Sequence, residues 1–235
     1  MVFKNHMKIA IIPARRGSKR IKNKNIKNFC GKPIISYSIE TALNTKIFDK
    51  IIVSTDCEKI SKISKSYGAS VPFKRPPELS DDYTGIHEVL KDTVLKLKLN
   101  DNDLVCCIFA TAPFINTDDI IKGFKKIISE KWEVVISAAK YNYPVYRSFM
   151  DNKEKGLKML FPNYYKIRSQ DIKDLYHDAG QFFWSSVSVL KNQSKKYNHK
   201  NSIIEIPSWR CQDIDTYEDW KRAEIIYDLI NKVKF

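Results

Sequence analysis

The chain has 235 residues, 43% of them hydrophobic and 12% aromatic, enough apolar material for one packed domain and too much for a disordered polymer. Its 41 Lys and Arg against 27 Asp and Glu leave a formal net charge of +14, but the lysines are spread along the chain, and only residues 15–27 form a denser basic cluster. No apolar run approaches the roughly 20 residues of a membrane span, no signal peptide is legible at the N-terminus, and five cysteines without a CxxC spacing predict reduced thiols in a cytoplasm rather than a disulfide framework.

In chain order, apolar runs alternate with amphipathic stretches. Residues 8–13 are predicted as a buried strand, with Ile9, Ala10, Ile11 and Ile12 in succession. After a polar loop, residues 33–43 place Ile35, Ile39, Ala42 and Leu43 at helical spacing, with Pro33 suited to a first turn. Residues 50–54 predict a second strand, 57–67 a helix closed by Gly68, and 69–73 a short strand. A Pro- and Asp-rich loop covers 75–85. A helix over 86–97, a strand over 103–109, a helix over 118–129 and a strand over 133–139 continue the alternation, which predicts a parallel α/β sheet. From 141 to 178 the pattern breaks down, and this stretch is predicted as an arm, lid or dimerisation element inside a single domain spanning 1–235. Strand character resumes over 182–190 and 203–206, and Trp220, Ala223, Tyr227 and Ile230 predict a final helix over 216–233.

Three segments carry candidate chemistry. PARRGSKRIKNKN, residues 13–25, follows the opening strand with one glycine, and seven basic side chains run from Arg15 up to and including Lys27. A nucleoside triphosphate needs backbone N–H donors and cations at close range, and open α/β sheets bind ligands at the carboxyl ends of their strands. The segment is neither GxGxxG nor Walker A, so dinucleotide binding and ATPase chemistry are unsupported; a solvated basic turn is the alternative. In QDIDTYED, residues 212–219, an extended backbone puts Asp213 and Asp215 on one face with Ile214 turned to the core. Two such carboxylates suit Mg2+, while an Asp215 that merely N-caps the last helix, with Thr216 and Glu218 beside it, is the alternative. In YHDAGQFFW, residues 176–184, His177 and Gln181 are candidate hydrogen-bond partners and Phe183 and Trp184 candidate apolar contacts for a ligand; a structural His177 and a core Trp184 are the alternatives. His6, His87 and His199 show no metal-ligand spacing.

The basic loop resembles the N-terminal signature of the CMP-sialate synthetase (acylneuraminate cytidylyltransferase) family through Ala14, Arg15, Gly17, Ser18, Lys19 and the pair Lys24 and Asn25. GKPIISYSIETAL (31–43), FDKIIVSTD (48–56) and RPPELSDDYT (75–84) are similar to the same family, so the resemblance covers nearly the whole chain. It implies a mostly parallel twisted sheet flanked by helices, as in nucleotide-diphospho-sugar transferases, and a homodimer that exchanges the 141–178 arm. It further implies that the basic loop wraps the phosphates of CTP, with Arg15, Lys19 and Lys24 neutralising charge and amides near Gly17 and Ser18 completing the cradle. Arg75 and Thr84 are then expected near base and ribose, an Arg75–Glu78 ion pair being the alternative for the first.

The same resemblance implies Mg2+ on Asp213 and Asp215. YHDAGQFFW and IFATAPFI (108–115) look like the pseudaminic acid cytidylyltransferase branch rather than the sialate branch. The implied sugar contacts are His177, Asp178, Gln181, Phe183, Trp184 and, from the arm, Arg168. The implied reaction is in-line attack by the anomeric hydroxyl of a nine-carbon acidic sugar on the α-phosphate of CTP, with Asp215, Asp213, Arg15 and Lys24 acting by positioning and charge neutralisation. Pseudaminic acid is favoured; sialic, legionaminic and keto-deoxy-octonic acids stay open. A basic nucleic-acid-binding protein is the rival from another class, and no helix-turn-helix, RRM or zinc signature supports it. The expected partners are CTP, the sugar acid and a second copy of the chain, with neither nucleic acid nor membrane.

Overall fold

A computed structural model of the chain describes residues 6–192 and 200–232, so His199 and Val233 lie outside the described residues. β1 (Lys8–Pro13) buries Ile9, Ala10, Ile11 and Ile12 completely, as a central strand covered on both faces must. A two-strand hairpin, β2 (Asn28–Phe29) with β3 (Lys32–Pro33), precedes α1 (Ile34–Thr45). β4 (Lys50–Ser54) then pairs parallel with β1. α2 (Glu58–Ser66) ends at Gly68, whose φ of 94° is the left-handed backbone that a helix C-terminus uses.

Residues 69–73 form no strand. Ser70 makes a lone bridge to Ile52, and Pro72, with no N–H to donate, stops the ladder there. α3 (Ile86–Lys96) leads to β5 (Leu104–Ile108), which pairs parallel with β1 on the side opposite β4. α4 (Thr117–Ser129) and β6 (Val134–Lys140) follow. The arm holds one exposed hairpin, β7 (Phe149–Asn152) with β8 (Gly156–Met159).

β9 (Tyr176–Ser186) begins earlier than the sequence pattern suggests and enters the sheet antiparallel, between β5 and β6. Its period is hidden by a register shift opposite Ile136 and Ala138 and by Gly180, whose φ is 63°. α5 (Val187–Lys191), β10 (Asn201–Glu205) and α6 (Tyr217–Lys232) complete the chain. The six-stranded order is β10-β6-β9-β5-β1-β4, mostly parallel, with helices packed against it. α4 lies so close on β9 that a Cβ at Gly123 would come within 2.8 Å of the Trp184 ring. Among the described residues no helix is long and apolar enough to cross a membrane.

From β1 the chain runs to β4 on one side and later to β5 on the other. The loops that leave β1 and β5 therefore part at a crevice over the carboxyl ends of the strands, where this class of sheet binds ligands.

Candidate functional site

That crevice is a cleft of about 550 Å³, floored by Pro13 at the end of β1 and Phe109, Ala110 and Thr111 after β5. The basic loop forms one wall, contributing Arg15, Ser18, Lys19, Arg20, Lys24 and Asn25. Asp81, Asp82 and Thr84 from the 75–85 loop face them, and Arg75 and Asp215 also line the space.

The loop is held from below. Ala14 continues the strand, its N–H donating to the Ser54 carbonyl at 2.9 Å, and its side chain is buried in the core. Asn25, only 9% exposed, donates through Nδ2 to the Arg15 carbonyl at 2.9 Å and closes the loop across its base. The Ser18 amide turns back onto the Arg16 carbonyl at 2.9 Å. At Gly17 an added Cβ would meet nothing nearer than Arg15 Nη1 at 3.9 Å, so space alone does not require glycine there.

The four basic-loop cations that line the cleft each meet a carboxylate. Arg15 donates through Nη1 to the Asp81 carbonyl and, at 2.7 Å, to Asp82. Lys19 pairs with the other oxygen of Asp82. Hydrogen bonds from Lys19 and then Arg15 hold the Asp82 carboxyl below the usual range. Across the cleft, Arg20 lies 2.9 Å and Lys24 3.1 Å from Asp215, and Lys24 also donates to the Ile214 carbonyl at 2.7 Å.

Arg75 makes no pair with Glu78 in this arrangement. It is 3% exposed and donates to the hydroxyl and carbonyl of Ser54, and burial lowers its pKa to about 10, still charged at neutral pH. Thr84 donates its N–H to Asp81 at 2.7 Å and its hydroxyl to the Glu78 carbonyl at 3.0 Å.

Asp215 does not cap α6. Thr216 does: its Oγ1 accepts from the Asp219 N–H at 3.2 Å, while the Asp219 carboxylate accepts from the Thr216 N–H at 2.8 Å. This reciprocal capping box leaves the Asp215 carboxylate to the cleft. Ile214 is 1% exposed, as the extended spacing predicts; Asp213 is solvent-exposed and, unlike Asp215, is not among the residues that line the cleft. Crowding by the protein and repulsion from Asp215 nevertheless raise the Asp213 pKa, with Lys24 opposing. A divalent cation would relieve that repulsion. Among the described residues no group of three or more His, Cys, Asp or Glu side chains is arranged for a metal. Two carboxylates completed by water and phosphate oxygens are the set that Mg2+ favours.

The candidate sugar residues divide. His177, Asp178 and Gln181 lie in the first half of β9, next to the carboxyl ends of β5 and β6, beyond the residues that line the cleft. His177 is half-buried against Tyr141, with Nδ1 2.9 Å from the Asp178 carbonyl, and Asp178 accepts from the Gly180 N–H at 2.8 Å. Gln181 is 2% exposed and donates to the Arg210 carbonyl at 2.8 Å.

Trp184 and Phe183 correct the expectation. Trp184 is fully buried, stacked on Phe48 at 5.4 Å, with its indole N–H donating to the Ile120 carbonyl. Phe183 packs on the opposite side of the sheet, against the cluster that contains Leu90 and Val94. Both belong to mid-strand positions, paired with Cys106 and Cys107, where core packing takes the aromatic side chains. Arg168 is turned onto Asp171 at 2.7 Å within the exposed arm, and one chain does not bring it to the cleft.

Sequence reasoning missed Arg20, Asp82 and Thr111. Arg20 was inside the basic cluster, Asp82 inside the 75–84 motif and Thr111 inside IFATAPFI (108–115), but the residues they meet in the cleft lie far away in sequence.

The cytidylyltransferase family model matches residues 9–144. The pseudaminic acid cytidylyltransferase of Campylobacter jejuni is 38% identical over 97% of this chain and 99% of that protein. The CMP-N,N'-diacetyllegionaminic acid synthase of Legionella pneumophila is 37% identical over 94% of this chain and 96% of that one. Among solved structures, CMP:2-keto-3-deoxy-manno-octonic acid synthetase complexed with CTP superposes with a TM-score of 0.71 at 16% identity, covering 95% of this chain and 99% of that one, a likeness of fold. The chain belongs to the cytidylyltransferase family and is a nucleotidyltransferase.

Proposed function

We propose that this cytidylyltransferase transfers CMP from CTP to the anomeric hydroxyl of a nine-carbon acidic sugar, pseudaminic acid in the first place, with release of pyrophosphate. The observation that carries the proposal is the Asp215 carboxylate in contact with Lys24 and Arg20 in the lining of a cleft at the end of β1. The pseudaminic relative supports the sugar, and the legionaminic relative, nearly as similar, makes legionaminic acid the second reading.

In the proposed mechanism CTP lies along the basic loop. Arg15 and Lys19 exchange Asp82 for phosphate oxygens, and Lys24 and Arg15 offset the charge that builds on the departing pyrophosphate. Asn25 keeps the loop closed while this happens, and Arg75, anchored on Ser54, presents a fixed cation toward base and ribose. Asp213 and Asp215 would hold Mg2+, which supplies positive charge at the α-phosphate and acidifies the attacking hydroxyl. His177, Asp178 and Gln181 are the chain's own candidates for the sugar. The new bond joins the anomeric oxygen to the α-phosphorus, and the bond from that phosphorus to the bridging oxygen breaks in line.

The arm exposes Phe149 at 60%, Leu157 at 71% and Tyr165 at 71%, apolar surface that a second copy would cover in the proposed homodimer. Arg168 would reach a sugar only in such an assembly. All five cysteines are free, in keeping with a reducing cytoplasm and its nucleotide pool.

The test is a panel of pseudaminic, legionaminic, sialic and keto-deoxy-octonic acids with CTP and Mg2+, read by pyrophosphate release. The highest kcat/KM is expected for pseudaminic acid. Faster turnover of another sugar would replace the substrate, and no turnover of any would remove the proposal.

A further inference from the structure

We propose that Arg210 and Asp119 are positioning residues for the Asp213–Asp215 carboxylates, acting through a brace that ties their segment to α4 and β9. The inference rests on the proposed role of those carboxylates toward a metal. Arg210 Nη1 lies 2.7 Å from Asp119 Oδ2, with the two side chains 14% and 7% exposed. Asp119 sits in the first turn of α4, where the helix dipole favours its negative charge. The backbone beside this pair is fixed too. The Arg210 carbonyl accepts from Gln181 Nε2 at 2.8 Å, and the Cys211 thiol donates to the Ala179 carbonyl at 3.6 Å.

Downstream, the Asp219 carboxylate accepts from the Asp215 and Thr216 N–H groups at 3.2 and 2.8 Å. The short run that carries both acids is thus pinned at its two ends, with Ile214 buried between them. Releasing the upstream end leaves Asp213 and Asp215 held from α6, from the buried Ile214 and from the Lys24 and Arg20 contacts, with nothing tying the segment to α4. Neither Arg210 nor Asp119 lines the cleft, so an effect on the metal requirement must travel through this segment. A buried ion pair is weak evidence for stability, because well-packed apolar residues often serve as well or better. Here its two ends join α4 to the acid-bearing segment, which is what positioning requires.

The experiment uses full-length Arg210→Lys and Asp119→Asn, with Asp215→Asn as reference. Amide hydrogen exchange is read over 211–215 without metal or nucleotide, and half-saturating Mg2+ is read by pyrophosphate release. Exchange over 211–215 is expected to quicken at least tenfold. Half-saturating Mg2+ should rise at least fivefold, while KM for CTP at saturating Mg2+ stays within twofold. Should Asp119→Asn not fold, Arg210→Lys, which keeps charge and stem, decides. Unchanged exchange and unchanged Mg2+ dependence in a folded variant overturns the brace, as does global unfolding of both, which would make the pair a stability element. Full turnover by Asp215→Asn would instead remove the metal reading and leave the exchange result standing.

Discussion

Lys24 Nζ lies 3.1 Å from Asp215 Oδ1, a contact between residues 191 positions apart. The apolar residues beneath the pair explain how it forms. Ile21 in the basic loop and Ile214 between the two aspartates are each 1% exposed and share one core cluster with Trp220 of α6. Burying these side chains draws the loop after β1 and the segment before α6 together, and the charges are carried to the rim.

Asp82 occupies the two cations that the proposal assigns to phosphate. CTP must displace it, so Asp82→Asn should tighten CTP binding by roughly two- to fivefold, in line with the modest worth of exposed ion pairs. Calorimetric titration at low salt should show the gain, and raising ionic strength should erase it.

Asp213 carries a raised pKa, from crowding first and Asp215 second. A carboxylate whose folded pKa lies above its unfolded value binds protons better when folded. Stability therefore falls as pH rises through that window, and the full penalty stands above the folded pKa. Asp213→Asn should raise the Tm of the metal-free protein at neutral pH, and the gap to the parent should close as pH falls through the window. Thermal melts at stepped pH check the sign.

The capping box of α6 gives the opposite slope. Hydrogen bonds from the Thr216 side chain and backbone hold Asp219 down to about 2, from 3.8. Its contribution is present above the unfolded value and is lost as pH falls through about 2. Thr216→Ala should cost about 1 kcal/mol, and the stability gap between the parent and Asp219→Ala should shrink only in acid, as read by denaturant unfolding.

Trp184 belongs to the core between α4 and β9. Trp184→Ala should cost about 3–5 kcal/mol, and Trp184→Phe should lower Tm while leaving KM for the sugar within twofold. Steady-state kinetics beside a melt separates this from a sugar contact.

Much of the architecture was legible because burial on both faces writes continuous apolar runs: β1 and β4 fall where their sequences place them. β9 was only half legible, since Gly180 and the bulge opposite Ile136 interrupt its period, and an antiparallel strand inserted among parallel ones leaves no local mark. In the site, the basic run after β1 and the spacing around Ile214 were readable from local pattern, while Arg15 and Lys24 were singled out by the family resemblance. The freedom of Asp215 was not, although Thr216 and Asp219 three residues apart are the capping signal. Trp184 and Phe183 were misread because the aromatic run does not say that β9 lies inside the sheet with both of its faces covered. The pairs of Asp82 and Arg20 depend on contacts between distant segments.

Turnover by Asp215→Asn tests the central claim most directly. With saturating CTP, sugar and Mg2+, and a circular dichroism spectrum like the parent's, the account predicts loss of at least ~100-fold in kcat, the scale of removing one electrostatic contact to a transition state. Parental turnover by this folded variant would contradict it.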